Sequence, residues 1–445
     1  MTFTGETLRQ TLVKFTDVAG RPNRYLIAFS GGLDSTVLAH ALAIGSGQND
    51  PSIVIAHVDH GLQPASASWR EHCEAFATQL KVDFVGLRVA VDQRSGLGPE
   101  AAAREARYAA LRKLIEPGDW LLSAHHQDDL AETVLLNLLR GSGPAGVAGI
   151  HAIRRFASGW LVRPLLDIAP SALQEYAHNA ALEWITDPSN IDQQFDRNYL
   201  RHEVLPRFEA RWPDAVTRIR RSAELAREAA ELLSELAEID RNRAGDSPNR
   251  LDIDCLSVLS VQRQRNLLRH VIRELGLPVP GAVHLERIIA ELVPAREDAQ
   301  PIVAWPGARA RRYRNRLYLL PANGLDRPVP HRRAVQDDRI VLDDGLGTLV
   351  LTRGAASGLD EALLDAGLEL RYREGGEEFK PAGQEHTRKL KKLLQEAGIV
   401  PWMRERLPLL YADGRLVAVA DLWIAAEAMS EPGVAIRWDN RPALN

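Results

Sequence analysis

The sequence predicts an α/β fold: a doubly wound parallel sheet, followed by a helical domain and a small α+β domain at the C-terminal end. Strand-like and helical runs alternate strictly up to about residue 140, which is the pattern of a parallel sheet covered by helices. One helical pattern then continues over 213–243, as in a connecting helix. Two β-rich runs follow at about 340–352 and 409–425, and Asp413-Gly414 predicts a hairpin turn within the second.

The length of the chain predicts more than one domain. Its 445 residues exceed what a single hydrophobic core usually holds. We expect domains over 1–213, 214–325 and 335–445, with the proline-rich stretch near 321–338 as a linker. The composition, 45% hydrophobic and 26% charged, is typical of globular proteins. No secretory signal and no apolar run of about 20 residues is present, so we expect a cytoplasmic protein without a membrane span.

The cysteines and the net charge exclude several classes of protein. Cys73 and Cys255 are the two cysteines of the sequence, and neither has another cysteine nearby, which excludes a disulfide framework and a thiolate metal cluster. A net charge of −4 excludes a uniformly basic nucleic-acid binder. Contacts with a nucleic acid would therefore depend on local basic patches.

The elements of the first part can be placed in order from periodicity and turn residues. An amphipathic helix precedes the first strand, which begins at Arg24 and is apolar up to a glycine-containing loop. The remaining expected elements are helix 35–44, strand 52–57, helix 65–80, strand 82–89, helix 99–115, strand 119–124, helix 127–140 and helix 171–182. A small helical domain with two short strands is expected over about 250–320.

The loop after the first strand has the features of a phosphate-binding loop. It consists of Ser30, Gly31, Gly32, Leu33, Asp34 and Ser35, directly before a helical run. Adjacent glycines allow a sharp turn and a close approach of backbone N–H groups to an anion. Ser35 is a good N-cap residue, and a helix N-terminus attracts negative charge. The chain contains no Gly-Lys pair, so this is not a Walker A loop.

Polar clusters follow three of the predicted strands. The glycine loop follows the first strand, His57-Val-Asp59-His60-Gly61 follows the second, and His125–Asp129 follows the fourth. Ligands of open α/β sheets bind at the carboxyl ends of the strands. We therefore expect these clusters to meet at one edge of the sheet and form an active site there.

Carboxylates and arginines near this edge suit chemistry on a nucleotide. Asp34 and Asp129 are both candidate ligands of Mg²⁺, which prefers carboxylates together with phosphate oxygens. Arg104 and Arg107 share one face of a predicted helix and can reach phosphate, although a solvated, salt-bridged face has the same pattern. The pair His125-His126 lacks a third ligand at zinc spacing.

Basic segments in the second half of the chain indicate a large anionic partner. Arg312, Arg314 and Arg316 would share one face if they lie in a single strand, and a merely solvated face is the alternative. Residues 387–398 read as a basic amphipathic helix that ends at Gly398. These segments favour added domains that bind a nucleic acid.

Several motifs together are similar to those of the tRNA(isoleucine)-lysidine synthetase family, and the Ser30–Ser35 loop resembles the pyrophosphate loop of the wider N-type ATP pyrophosphatases. The resemblance spans nearly the whole chain and is least distinct over about 215–335. The motifs that carry it are Ala56–Leu62, Arg107-Tyr108, Ala124–Thr133, Arg140–Gly143, Arg163–Leu166, Asp187–Asn190, Arg197–Arg201, Arg373–Glu377, Lys389–Gln395 and Pro401–Leu410.

The resemblance implies a reaction in which ATP adenylylates the wobble cytidine of the CAU anticodon of an isoleucine tRNA. The amine of free lysine then displaces AMP, which gives lysidine, a base that reads AUA. By the same resemblance, the loop Ser30–Ser35 and His57 bind ATP, and Mg²⁺ binds Asp34 or Asp129. Asp34, Arg107, Asp129 and Arg201 are the implied catalytic residues. Which carboxylate deprotonates lysine stays open, and so does the oligomeric state, for which a homodimer is one option.

Two other interpretations remain at this level. An RNA-binding module with a vestigial nucleotide site would bind tRNA without releasing AMP. A tRNA thiolase of the same superfamily would incorporate sulfur, and the lack of paired cysteines disfavours it.

Overall fold

The computed structural model describes residues 2–444 except 46, 48–49, 60, 62–65, 91–98, 246, 297–298, 324–332, 336 and 343–344. The chain divides into two compact units, Met1–Leu232 and Leu233–Asn445. His60 and most of the predicted linker lie outside the described residues. The finer division into domains over 1–213, 214–325 and 335–445 stays a prediction.

Unit 1 is built on a six-stranded sheet with the order β3-β2-β1-β4-β6-β5. The strands are β1 Arg24–Ala28, β2 Ser52–Asp59, β3 Asp83–Arg88, β4 Asp119–Leu122, β5 Ile153–Phe156 and β6 Gly159–Val162. All neighbouring strands are parallel except β5 and β6, which form an antiparallel hairpin at one edge. The prediction of a parallel sheet is confirmed, but the hairpin at its edge was not predicted. Its two strands of four residues are too short to show a clear period.

Helices cover both faces of this sheet. The helices of this part of the chain are α1 Gly5–Lys14, α2 Thr16–Ala19, α3 Leu33–Ala43, α4 Ser66–Leu80, α5 Pro99–Arg112, α6 Gln127–Leu139, α7 Pro144–Val147, α8 Pro170–Asn179, α9 Asp196–Tyr199, α10 Leu205–Arg211 and α11 Ala215–Ala244, of which α11 begins in unit 1 and ends in unit 2. Side chains alternate along each strand. Ile27 and Ile55 thus pack into one core with α1, α3, α4 and α8, whereas Leu26 and Val54 pack into the other with α5.

In unit 2, the region after the long helix contains more β-structure than predicted. Its helices are α12 Ile253–Ser257, α13 Val261–Glu274 and α14 Ala282–Arg287, the last continued by a π-helical turn over Ile288–Leu292. A four-stranded antiparallel sheet of order β7-β10-β9-β8 packs with them. Its strands are β7 Arg250–Asp252, β8 Ile302–Trp305, β9 Ala308–Tyr313 and β10 Arg316–Pro321.

The expectation that Arg312, Arg314 and Arg316 share one strand face is wrong. Arg314 lies in the turn between β9 and β10 with φ +52°, so the chain reverses within the arginine run. Arg312 is buried, and its Nη1 donates to the carbonyl of Leu292 at 3.1 Å. This arginine therefore donates a hydrogen bond to a carbonyl group at the end of a helical turn, and it does not face an external ligand.

The C-terminal part of unit 2 has two five-stranded sheets of order β11-β15-β18-β19-β20 and β12-β13-β22-β14-β21, and a small pair β16-β17. The helices are α15 Glu361–Ala366, α16 Leu390–Glu396 and α17 Pro401–Arg404. The strands are β11 Arg333–Val335, β12 Arg339–Val341, β13 Thr348–Ala355, β14 Gly358–Leu359, β15 Leu368–Tyr372, β16 Glu378–Phe379, β17 Arg388–Lys389, β18 Pro408–Ala412, β19 Arg415–Val419, β20 Trp423–Ile424, β21 Met429–Ser430 and β22 Gly433–Asp439.

Two local predictions for this part can be compared with the structure. The hairpin turn at Asp413-Gly414 is confirmed, since both residues have positive φ, as a tight hairpin turn between β18 and β19 requires. The basic helix is shorter than predicted, because Arg388 and Lys389 belong to β17. Its amphipathic character is confirmed: the leucines of α16 are buried, whereas Lys391 and Lys392 are exposed. Among the described residues, no helix is long and apolar enough to span a bilayer.

Candidate active site

A cavity of about 560 Å³ lies in unit 1 where β1, β2 and β4 end. This volume is in the range of sites for small ligands, and the position is the one expected for a ligand of an open α/β sheet. The cavity is lined by most of the residues that the sequence singled out, namely Ser30, Gly32, Leu33, Asp34, Ser35, His57, Arg107, Asp129 and Arg201. The fold therefore brings together segments that are up to 171 positions apart in the sequence, from Ser30 to Arg201.

The glycine loop is held in a tight turn by contacts within unit 1. Gly31 has φ +83°, and a Cβ at this position would lie 2.6 Å from Cδ1 of Ile185, so both conformation and space require glycine. The backbone N–H of Ile185 donates to the Gly31 carbonyl at 2.8 Å. This hydrogen bond connects the loop to the segment that follows α8.

Ser35 is not the N-cap of the helix after the loop, contrary to the prediction. The helix α3 already begins at Leu33, and Gly32 is its N-cap with extended backbone. The Ser35 hydroxyl, buried in the first turn, donates to the Gly32 carbonyl at 3.0 Å and lies 3.1 Å from the Ser30 hydroxyl. Both hydroxyls and the N-terminus of α3 line the cavity, and a helix N-terminus attracts anions such as phosphate.

His126 lies between the two carboxylates that were predicted to act in the site. Its Nε2 is 3.7 Å from Oδ2 of Asp34 and 3.6 Å from Oδ2 of Asp129. Its Nδ1 accepts the backbone N–H of Asp128 at 3.3 Å, so in the neutral ring the proton sits on Nε2 and faces both carboxylates. The structure thus brings the two aspartates to the same nitrogen of one imidazole.

The two aspartates have opposite pKa shifts. Burial raises the pKa of Asp34 above its ordinary value, although His126 and Arg201 oppose the change. For Asp129 burial acts in the same upward direction, but His126, His125 and Arg201 outweigh it and hold the pKa below its ordinary value. Asp34 therefore binds a proton more readily than Asp129 does.

Asp129 also has a structural task. Its Oδ2 accepts the backbone N–H of His126 at 2.9 Å, which completes the capping box at the start of α6. Its Oδ1 accepts Nη2 of Arg201 at 2.9 Å. Both oxygens are therefore engaged within the protein, whereas the Asp34 side chain keeps 37% of its surface exposed.

Glu132 is a residue of this site that the sequence reasoning missed. Its carboxylate is fully buried, accepts Nε and Nη2 of Arg201 at 2.6 and 3.1 Å, and lies 3.0 Å from Nε of Arg197. Glu132 follows Asp129 by three positions, so the two acids share one face of α6. That spacing was the available signal, but only the structure shows that both acids hold Arg201, which sits in a π-helical turn over Leu200–Val204. Such turns are often found at functional sites.

His57 is a buried residue that lines the cavity. Its Nδ1 is 3.0 Å from the Phe29 carbonyl and 3.4 Å from Sγ of Cys73. Burial raises the pKa of the Cys73 thiol to about 12, so this cysteine stays protonated near neutral pH and is a poor nucleophile. The thiolase interpretation thus gains no support from the cysteine nearest the site.

Arg107 and Tyr108 line the wall formed by α5. The guanidinium carbons of Arg104 and Arg107 lie 5.2 and 5.7 Å from the centre of the Tyr108 ring, which is within the range of cation–π contacts. Burial would raise the pKa of the Tyr108 phenol, but Arg104, Arg163 and Arg107 outweigh it and lower that pKa. This wall therefore carries a positive potential.

His125 is held as a neutral ring. Burial lowers its pKa to about 3, and Arg163 and Arg104 act in the same direction against Asp129. Among the described residues, no group of three or more His, Cys, Asp or Glu side chains is arranged to hold a metal ion. A magnesium ion held by one carboxylate and by phosphate oxygens needs no such group, and Asp34 fits this requirement.

Three protein-family models match separate parts of the chain. A PP-loop domain matches residues 5–208, a TilS substrate binding domain matches 251–318, and a TilS substrate C-terminal domain matches 368–438. A solved structure described as the TILS C-terminal domain covers 24% of this chain and 98% of its own, with 20% identity and a TM-score of 0.20.

Curated relatives match over nearly their full length. Proteins named tRNA(Ile)-lysidine synthase from Alkalilimnicola ehrlichii and Methylococcus capsulatus are 44% and 39% identical to the chain. The match covers 96% of the length of each of these two relatives. It covers 97% and 93% of this chain, respectively. A protein of the same name from Coxiella burnetii is 37% identical over 97% of this chain and 95% of its own. The chain therefore belongs to the tRNA(Ile)-lysidine synthase family.

Proposed function

We propose that this protein ligates free lysine to the wobble cytidine of the CAU anticodon of an isoleucine tRNA, with ATP as the source of energy. The products are lysidine, AMP and pyrophosphate, and the modified tRNA reads AUA. The observation that carries the proposal is the meeting of the glycine loop with Asp34, Asp129 and Arg201 in one cavity of a chain of this family. This reaction needs a site that binds both a polyphosphate and a cation.

ATP is proposed to bind with its β and γ phosphates in the glycine loop. The N-terminus of α3 and the hydroxyls of Ser30 and Ser35 line the cavity at that point. Phosphates held there leave the α-phosphorus open to the carbonyl oxygen of the cytidine, so that pyrophosphate leaves and an adenylylated base forms. His57 lines the same cavity and is proposed to contact the nucleotide.

Charge develops on the phosphates in this step, and cations that are already in place stabilise it. Arg107 on the α5 wall and Arg201, held by Asp129 and Glu132, are the two arginines proposed for this role. A magnesium ion bound to Asp34 and phosphate oxygens would neutralise further negative charge on the leaving pyrophosphate. Asp34 suits this role better than Asp129, whose oxygens are engaged within the protein.

The lysine amine arrives as an ammonium and must lose a proton before it attacks. Asp129 stays ionised because its pKa is depressed, so it is suited to attract the ammonium. Without a bound metal ion, burial raises the pKa of Asp34, so Asp34 takes up a proton more readily than Asp129 does.

The tRNA is proposed to contact unit 2 as well as the cavity. The exposed face of α16 carries Lys391 and Lys392, and its other face is anchored in the C-terminal core by Leu390, Leu393 and Leu394. Such a fixed basic face suits contacts to phosphates. A cytoplasmic location and a possible homodimer belong to the same proposal, and light scattering coupled to size-exclusion chromatography tests the second.

The proposal is tested by incubating the protein with ATP, lysine and an unmodified isoleucine tRNA with a CAU anticodon. Mass analysis of the tRNA should show one added lysine with loss of water at the wobble cytidine, and AMP should be released only when the tRNA is present. A tRNA with another anticodon is the matched control. Binding of the tRNA without AMP release or mass change would refute the ligase and support a pure binding module.

A further inference from the structure

Two aromatic rings and four arginines form a continuous line in unit 1, from the cavity towards the hairpin edge of the sheet. The rings of Tyr108 and Phe156 meet edge to face, with 5.8 Å between their centres. Arg104 and Arg107 lie over Tyr108, as described above, and Arg112 and Arg154 lie over Phe156 at 5.4 and 5.6 Å. We call these six residues the arginine–aromatic ladder.

The two ends of the ladder have different surroundings. Arg107 and Tyr108 line the cavity. Arg112, at the end of α5, and Arg154, on the edge strand β5, are exposed to solvent. Phe156 is 3% exposed and belongs to the core beneath α5, so it fixes the two outer arginines on a rigid base. The ladder thus links the reaction site to an open surface.

Arg104, Arg112 and Arg154 have no carboxylate partner among the residues that the structure describes. Each of these guanidinium groups lies over one of the two rings. Three positive charges without a carboxylate partner among the described residues suit a surface that binds an anionic partner.

Nearby titratable groups report the same positive potential. The pKa of Tyr108 is lowered despite burial, because three arginines favour the phenolate. Burial lowers the pKa of His151, and Arg227, Arg163 and Arg154 add to the decrease against Glu231. The field therefore extends beyond the cavity to the residues next to β5.

The length of the ladder indicates which anion it fits. Arg104 and Arg112 are eight positions apart on α5, about 12 Å along the helix axis. A single phosphate group does not span this distance. A strand with successive phosphates does, and guanidinium groups bind phosphate oxygens in a bidentate manner. We propose that the arginine–aromatic ladder binds the phosphate backbone of the tRNA anticodon arm and guides the wobble base into the cavity.

This inference rests on the proposed function, and its test uses the full-length protein. The test variant is Arg112→Ala combined with Arg154→Ala, since neither side chain lines the cavity. The matched control is Arg155→Ala. Arg155 is the next residue on the same strand, is exposed, and lies 3.9 Å from the ring centre of Trp160. Because side chains alternate along a strand, it points to the opposite face of the sheet.

The dissociation constant for the tRNA is measured over a series of salt concentrations. Loss of two phosphate contacts should weaken binding about tenfold near physiological salt and flatten the slope of log K against log salt by roughly 1.5. The Arg155→Ala control should keep the wild-type affinity, salt slope and rate of lysidine formation. Arg112→Lys with Arg154→Lys should restore most of the salt slope, because the charge remains.

Two results would overturn the inference while leaving the proposed function intact. In the first, the wild-type protein forms lysidine, but the alanine double variant binds tRNA with the same salt slope as the wild-type protein. The other is an equal loss in Arg155→Ala, which would show a diffuse charge effect without a defined surface. A wild-type protein that binds the tRNA but forms no lysidine would instead refute the proposed function.

Discussion

Replacement of Glu132 by glutamine tests whether a single buried carboxylate holds the arginines of the site. Glu132 is completely buried, and it accepts two hydrogen bonds from Arg201 and lies 3.0 Å from Arg197. Glutamine keeps the size of the side chain but removes its charge. The two guanidiniums then face an uncharged amide, and Asp129, 2.9 Å from Arg201, is the remaining carboxylate contact of that arginine recorded in the described part of the chain.

The expected loss can be estimated from the burial of the three side chains. Removal of one partner of a fully buried ion pair costs about 3–5 kcal/mol. Here the side chains of Arg197 and Arg201 keep 25% and 32% of their surface exposed, so water partly replaces the lost partner. We therefore expect a loss of about 2–3 kcal/mol in local stability. Because 1.4 kcal/mol corresponds to a factor of ten in an equilibrium constant, this loss should raise the population of the locally open state roughly thirtyfold to hundredfold.

Hydrogen exchange followed by mass spectrometry measures this loss in the full-length protein. Peptides from α6 and from residues 196–204 should exchange faster by that factor, whereas peptides from β3 should change little. ATP-dependent AMP release should fall strongly as well, because Arg201 is no longer held in place. Glu203→Gln is the control: its partner Arg207 is 78% exposed, and loss of such a pair costs less than about 1 kcal/mol. Equal exchange in Glu132→Gln and Glu203→Gln would refute the reasoning.

Three further predictions follow from other parts of the structure. Asp34→Ala should abolish AMP formation without loss of tRNA binding, and persistent turnover in a radiolabelled ATP assay would contradict its proposed role. Lys391→Ala with Lys392→Ala should weaken tRNA binding and flatten its salt dependence, whereas an unchanged salt slope would remove α16 from the interface. The pKa of His125 is about 3 in the folded protein and about 6.5 in the unfolded chain. Below about pH 6.5 the unfolded chain therefore binds more protons than the folded protein. The free energy of unfolding then falls as the pH decreases, by at most about 1.4 kcal/mol per pH unit. His125→Gln should flatten that loss between pH 6.5 and 4 in thermal unfolding, and an unaltered pH profile would show that other groups cause it.

The position of the site could be predicted because the signals that mark it are local. The loop Ser30–Ser35 and the residues after β2 and β4 each follow a strand directly, and strict alternation places those strand ends at one edge. The same local reading failed at Ser35, because a cap depends on where the backbone becomes helical. Gly32 with its extended backbone already starts the helix, and this leaves Ser35 inside the first turn.

Basic residues were harder to interpret, since their role depends on what surrounds them. Arg312 and Lys391 both looked like parts of basic surfaces in the sequence. The structure buries Arg312 against the carbonyl end of a helical turn, whereas Lys391 stays exposed on α16. Charge is a property of the residue, but burial and hydrogen-bond partners come from remote parts of the chain.

The sequence by itself determined the fold class, the glycine loop and the edge of the sheet at which the cavity lies. These features depend on neighbouring residues, through hydrophobic period, turn residues and the order of strands and helices. Only the tertiary structure decided that Glu132 and Asp129 together hold Arg201, 69 and 72 positions further along the chain. It also decided that Arg112 and Arg154 lie over Phe156, whose ring contacts Tyr108 of the cavity wall. Such pairings depend on the path of the chain and on the exclusion of water between remote segments, which no local pattern encodes.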